Sequence, residues 1–326
     1  MQDPIFIVGE GRSGTTSLRN IIGEHPNIWA VDKESYLFVE NWPQANPYFD
    51  IYKNNFNKLV LSVFVATKRV GENAHKIIKS KKLPEDIETE FYLFKESLEY
   101  AELKKNYKNT ETINRFQIFN AISEFYCKRF SRARFVEKTP YHLYYVNSIL
   151  NEYPNAKIIA LYRDPRAVCS SWLKLDALKN LLGVCLSWNK AMKEITKLQK
   201  KLNQEQFLTV KFENLISNPK ETLEEICSFI NEDFEQSLLE SKNVSNSSFN
   251  KGTGFRTENL ERWKKILNKK QISLINLICS KHYQKYNIEK SQEKLKISEL
   301  VALPLFISLE PLKLFTVKLK KLFSRL

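Results

Sequence analysis

The chain is short of paired cysteines. Its five (Cys127, Cys169, Cys185, Cys227, Cys279) are odd in number, widely spaced and never arranged as C-x-x-C. That pattern excludes a disulfide framework or a zinc ligand set and reads as buried thiols of a reducing compartment. No stretch approaches about 18 consecutive apolar residues, so nothing reads as a membrane span. The first residues run straight into a strand-like segment, with no basic segment, apolar leader or cleavage site, and the expectation is a cytoplasmic protein. Asn243-Val-Ser and Asn246-Ser-Ser match the glycosylation triplet, and without a leader they are expected to be chance matches. No internal repeat is present.

What is there is a chain of 326 residues, 43% apolar, with 51 basic and 37 acidic residues and a formal net charge of +14. This supports a sizeable core and favours an anionic partner, without choosing among nucleotide, sulfated or phosphorylated substrate, acidic lipid and nucleic acid.

The apolar run Pro4–Val8 ends at glycine and suits a buried parallel strand. Thr15–Glu24 places Leu18, Ile21 and Ile22 on one helical face, and Ile28–Val31 reads as a second strand. Residues 35–130 mix aromatics and lysines with helical stretches and read as a helical insertion. The α/β rhythm resumes with strand Arg134–Glu137, helix Tyr141–Glu152 and the central strand Lys157–Tyr162. Asp164-Pro165 then supplies a cap and a first-turn proline. Strand Gln206–Phe212, a capped helix from Asn218-Pro219 through Ile230, and helices over 258–267 and 270–286 complete the pattern. The fold class is α/β, a three-layer architecture with a parallel sheet covered on both faces. Residues 1–290 form the main domain and 291–326 a separate basic tail.

Two segments carry chemistry. Residues 9–16 read G-E-G-R-S-G-T-T. Against the nucleotide-triphosphate loop G-x-x-x-x-G-K-[ST], the glycines and Thr16 align, but Thr15 replaces the lysine. A glycine-rich turn between a buried strand and a helix aims backbone N–H groups at an anion. Here Thr15, Thr16 and Ser17 add hydroxyls and Arg12 adds charge. The second segment, R-D-P-R-A-V-C-S-S (residues 163–171), follows the central strand, where ligands of open α/β sheets sit. Arg163 and Ser171 are spaced to face one another across that turn and hold a second phosphate. Asp164 also invites a reading as a magnesium carboxylate, which Arg163 and the missing loop lysine argue against.

The two segments together resemble the 5′-phosphosulfate loop and the 3′-phosphate motif of sulfotransferases that use 3′-phosphoadenosine-5′-phosphosulfate (PAPS). Lys33-Glu34-Ser35-Tyr36-Leu37-Phe38 resembles the K-E-x-x-F-F segment of glycosaminoglycan-type members, Glu137-Lys138-Thr139-Pro140 their E-K-[ST]-P, and Phe212-Glu213-Asn214-Leu215 the Y-E-D-L segment. The resemblance covers most of residues 4–285. It implies PAPS as sulfate donor and no metal: such a donor has no γ-phosphate for a loop lysine to reach. It places Arg12, Ser13, Gly14, Thr15 and Thr16 at the 5′ side of the donor, Arg163 and Ser171 at its 3′-phosphate, and Phe212 near adenine in place of a tyrosine. Lys251, in the half-matching Asn250-Lys251-Gly252, reaches toward the 3′-phosphate.

The resemblance further implies Glu34 as the base that takes the acceptor hydroxyl's proton. Lys138 then contacts the sulfuryl group or bridging oxygen, and Arg12 adds positive charge. His142, the kind of base some cytosolic members use, falls within the helix pattern after Pro140 and reads as a packed or capping residue. Trp263 reads as core packing. The implied acceptor is a hydroxyl on a carbohydrate, a glycolipid or a protein tyrosine, and no nucleic acid. A P-loop NTPase or kinase stays open as an alternative, as does a non-catalytic nucleotide-binding scaffold. In the tail, Leu312, Phe315, Leu319, Leu322, Phe323 and Leu326 follow helical spacing among lysines. Residues 312–326 thus suit a peripheral helix at the inner membrane face, or an end folded on the domain or left disordered.

Overall fold

The computed structural model describes residues 1–39, 55–68, 77, 83–175, 180–241 and 254–291. Lys251, the glycosylation triplets and the tail at 312–326 lie outside the described residues. Five strands form a wholly parallel sheet: β1 (Ile5–Gly9), β2 (Ile28–Ala30), β3 (Arg134–Lys138), β4 (Lys157–Tyr162) and β5 (Phe207–Lys211). Their order is β2-β3-β1-β4-β5. Every residue of β1 is buried, which is why its sequence is continuously apolar and not alternating.

The pleat divides β1 between two cores. Ile5 and Ile7 join Leu18, Ile21, Leu223 and Ile226 from α1 (Thr15–Ile22) and, further on, a helix over Pro219–Ile230. Phe6 and Val8 join a larger cluster on the opposite face, with Phe38, Phe64, Phe119 and Trp188. Between β2 and β3 run α2 (Phe56–Lys68), α3 (Glu85–Lys95), α4 (Leu98–Thr110) and α5 (Arg115–Arg129), where the helical insertion is expected. Local chemistry sets their starts: Ser97 accepts from the Tyr100 amide, and Asn114 with Gln117 forms a capping box. The chain continues through α6 (Val146–Glu152), α7 (Pro165–Leu175), α8 (Leu181–Lys201), α9 (Phe212–Ser217), α10 (Pro219–Ile230) and α11 (Lys269–Cys279). All five thiols are free and buried. Among the described residues no helix is long and apolar enough to cross a membrane.

Three local expectations need correction. The helix expected from Tyr141 is a 3-10 helix over Pro140–Tyr145, and the α-helix begins only at Val146. Asn218 makes no side-chain cap, so α10 starts on Pro219 alone. Beyond residue 254 the chain forms short 3-10 turns at Thr257–Asn259 and Arg262–Lys265 before α11, because the Asn268–Gln271 capping box fixes the helix start at Lys269. A last 3-10 turn, Ser280–His282, follows α11, and beyond it Tyr283 and Tyr286 enter the core.

Candidate active site

The C-terminal ends of β1, β3 and β4 open into one cleft of about 510 Å³. Glu34, Tyr36, Arg163, Ser171, Phe212 and the phosphate-type loop line it, except that Ser13 is fully buried behind the loop's surface. Gly14 ends the loop in the left-handed region (φ 95°) as the N-cap of α1, a conformation that favours glycine. A Cβ there would sit 2.2 Å from the Phe212 ring. Gly14→Ala is therefore expected to cost roughly 2–4 kcal/mol, backbone strain and overpacking together. Chemical denaturation checks it, and a loss below about 0.5 kcal/mol would contradict this account of the loop.

The two phosphate motifs, distant in sequence, are joined through Arg12. Its Nε donates to Ser171 Oγ at 3.0 Å, and Arg163 donates to the Arg12 carbonyl at 3.4 Å. Arg163 and Ser171 thus belong to one site, but Ser171 pairs with Arg12 here and not with Arg163. The Arg163 guanidinium lies 4.4 Å above the Phe212 ring centroid, so the ring expected near adenine also carries that arginine. Burial weighs against the charge of Arg163, with Glu213 and Asp164 opposing it. Ser13 Oγ and Arg163 Nε are buried donors with no hydrogen-bond partner. Buried donors of this kind are satisfied by an anionic ligand, and with the N-terminus of α1 they fit a donor bearing 5′- and 3′-phosphates. Asp164, the residue that invited a magnesium reading, is gripped by Arg166 through both carboxylate oxygens, at 2.6–3.1 Å.

Glu34 stands at the same cleft between two donors. Lys138 Nζ reaches Oε1 at 2.5 Å and Tyr36 Oη reaches Oε2 at 2.7 Å. Lys138 is 4% exposed and touches the cleft through Glu34, so it is no solvated surface lysine. Burial lowers the Lys138 ammonium from its usual range, and the Glu34 charge works to restore it. Burial and the same carboxylate raise the Tyr36 phenol, which keeps it a donor.

A wholly buried network holds the Glu34 loop. Glu137 Oε1 accepts from the Ser35 amide at 3.1 Å, Ser35 Oγ at 2.8 Å and Thr139 Oγ1 at 2.6 Å. Its Oε2 meets His142 Nδ1 at 3.1 Å, while His142 Nε2 faces the Phe38 amide at 3.4 Å. The amide can only donate, so Nδ1 carries the proton toward Glu137. This agrees with His142 as a packed residue. Burial works to raise the Glu137 carboxyl, but His142, Thr139 and Ser35 together hold it below the ordinary range. A depressed folded value stabilises above the unfolded one, about 4.3, and is lost as pH falls. Glu137→Gln is accordingly expected to destabilise by about 3 kcal/mol at neutral pH, with the gap to the parent narrowing below about pH 4. Denaturation across pH checks it; a gap that widens on acidification would contradict the network.

Some cleft residues escape sequence reasoning. Glu10, Tyr141, Tyr144, Trp172, Arg256 and Arg262 line the cleft, and none belongs to the two phosphate motifs' expected ligands. Of these only Glu10 carries a sequence signal: a carboxylate inside a phosphate loop repels the ligand that the loop is built for.

The chain's residues 4–236 match the model of the sulfotransferase family. A Caenorhabditis elegans protein named in the protein-tyrosine sulfotransferase class is 30% identical over 112 residues, 32% of this chain and 43% of that protein. The aligned part thus spans less than half of that relative. Among solved structures, the sulfotransferase domain of the Synechococcus PCC 7002 olefin synthase has a TM-score of 0.57 at 19% identity, covering 89% of this chain and 97% of that one. The sulfotransferase domain from the curacin biosynthetic pathway has a TM-score of 0.56 at 17% identity, covering 89% and 99%. Both show the same fold.

Proposed function

Because this chain belongs to the sulfotransferase family, we propose that its cleft serves sulfuryl transfer from PAPS to a hydroxyl of a carbohydrate or glycolipid. One observation carries the reading: a carboxylate, Glu34, held between Lys138 and Tyr36 on the wall of the cleft that the phosphate-type loop lines. The loop residues Ser13, Gly14, Thr15 and Thr16 would hold the 5′ side of the donor, Arg163 and Ser171 its 3′-phosphate, and Phe212 would support the nucleoside end. Bound there, the donor supplies the sulfuryl group and a phosphate as leaving group.

Everything else falls to the protein. Glu34 receives the proton of the acceptor hydroxyl at whichever oxygen Lys138 or Tyr36 releases. Lys138 and Arg12 place positive charge where negative charge gathers, in a site whose burial strengthens it. A tyrosyl-protein acceptor is the second reading, favoured by the similarity to the Caenorhabditis elegans protein. Residues 312–326, as a membrane-surface helix, would suit the glycolipid form of the first.

Incubation with radiolabelled PAPS and a pool of neutral glycans, glycolipids and tyrosyl peptides tests the reading. Label in a hydroxyl ester on glycan or glycolipid is the expected result. Label confined to peptide would overturn the acceptor, and ATP hydrolysis without any transfer would overturn the reaction.

A further inference from the structure

The cleft has an unequal charge distribution. Among the described residues, its lining cations are Arg12, Arg163, Lys174, Arg256 and Arg262. They come from the phosphate loop, the 163–175 segment and the turns after residue 254. On the wall beside Glu34, whose own charge Lys138 partners at 2.5 Å, the lining is rich in tyrosine. Tyr36 follows the base by two residues. Tyr141 and Tyr144 stand three apart on the 3-10 helix Pro140–Tyr145, whose three-residue turn aligns them on one edge. Their rings meet edge to face at 5.0 Å.

Glu10, 8% exposed, adds a second carboxylate to this wall. Its two oxygens lie 3.0 and 3.1 Å from Ser187 Oγ on α8. Burial, with the Glu10 charge next, raises the Tyr144 phenol and keeps it protonated. Lys190 lies over the Tyr144 ring at 4.6 Å and is not part of the lining.

Resting on the sulfuryl-transfer reading, we propose that Glu10, Tyr36, Tyr141 and Tyr144 form the acceptor subsite, and that it takes an uncharged, polyhydroxylated sugar in preference to an anionic polymer or an acidic tyrosyl peptide. Three physical arguments support this. Glu10 does not suit the donor's phosphates, because a carboxylate repels phosphate. Aromatic faces beside hydrogen-bonding groups match a sugar, whose C–H face is apolar and whose rim is hydroxyl. Glu10 accepts hydrogen bonds from hydroxyls and repels carboxylate, sulfate or phosphate groups on a wrong acceptor, whereas the Glu34 charge is already partnered by Lys138.

The rival account makes Glu10 a structural anchor tying the loop to α8 through Ser187. Initial rates with radiolabelled PAPS separate the two, using neutral oligosaccharides of several sugar types, a glucuronate-bearing polysaccharide and an acidic tyrosyl peptide as probes. The parent enzyme is expected to label a neutral sugar fastest. Glu10→Gln is expected to raise the sugar's KM about tenfold, one charged hydrogen bond, with binding of 3′-phosphoadenosine 5′-phosphate (PAP) unchanged. Ser187→Ala, which keeps the charge and removes the tie, is expected to leave that KM near the parent's. Faster labelling of the anionic polysaccharide or the peptide would overturn the proposal. So would a Ser187→Ala variant as impaired as Glu10→Gln, or labelling of no sugar by a protein that binds PAP. Failure to bind PAP would instead overturn the sulfuryl-transfer reading itself.

Discussion

Glu34→Gln lowers kcat by about a thousandfold, within the range that a positioned general base contributes, and leaves PAP affinity within about twofold of the parent's. The substitution leaves the wall its shape, because glutamine keeps an oxygen for Lys138 or Tyr36 to donate to. What is lost is basicity, together with the negative partner of a buried ammonium. Lys138 is 4% exposed and its charge is disfavoured chiefly by burial. Without Glu34 it tends toward the neutral amine, which removes positive charge from the reacting centre as well. Both effects fall on kcat. Initial-rate kinetics alongside PAP titration checks the split; a variant with parental kcat would remove Glu34 from the chemistry.

Arg163→Ala weakens PAP binding by roughly a hundredfold, the upper range for losing a charge-assisted hydrogen bond in a buried site. Adenosine 5′-phosphosulfate, which lacks the 3′-phosphate, is expected to lose less than about threefold if Arg163 serves that phosphate alone. The geometry leaves a donor for a phosphate: the guanidinium is held over Phe212 at 4.4 Å, yet its Nε has no partner. Arg163→Lys is expected to recover little, since an ammonium reproduces neither the planar contact with the ring nor the fork. Equal losses for both nucleotides would place Arg163 under the loop as a support, acting through its bond to the Arg12 carbonyl.

The parts of this molecule that follow from short-range chemistry were legible in its residues. A continuously apolar β1, the glycine spacing of the loop and the Asp164-Pro165 turn each have one local explanation, and each stands where expected. The contacts that assemble the site are different in kind. Arg12 and Ser171 are 159 residues apart, and Ser35 and Glu137 are 102 apart. No periodicity encodes such pairs, because tertiary packing of the strand ends brings them together. The misjudged helix after Thr139 shows the same limit. Tyr141–Glu152 has helical composition, but Pro140 follows an extended residue, and His142 must turn into Glu137. The tighter 3-10 form wins there, and with it comes the paired edge of Tyr141 and Tyr144. A carboxylate inside a phosphate loop is a sequence signal, but only the placement of Glu10 against Ser187 and Tyr144 gives it meaning.

The most direct test of the account is a calorimetric titration of the protein with PAP and, separately, with ATP and Mg²⁺. The account predicts tight, metal-independent binding of PAP and weak response to ATP, because Thr15 replaces the lysine that would reach a γ-phosphate and Arg163 Nε offers a second, unpartnered buried donor. Tight, Mg²⁺-dependent binding of ATP with no heat from PAP would contradict it.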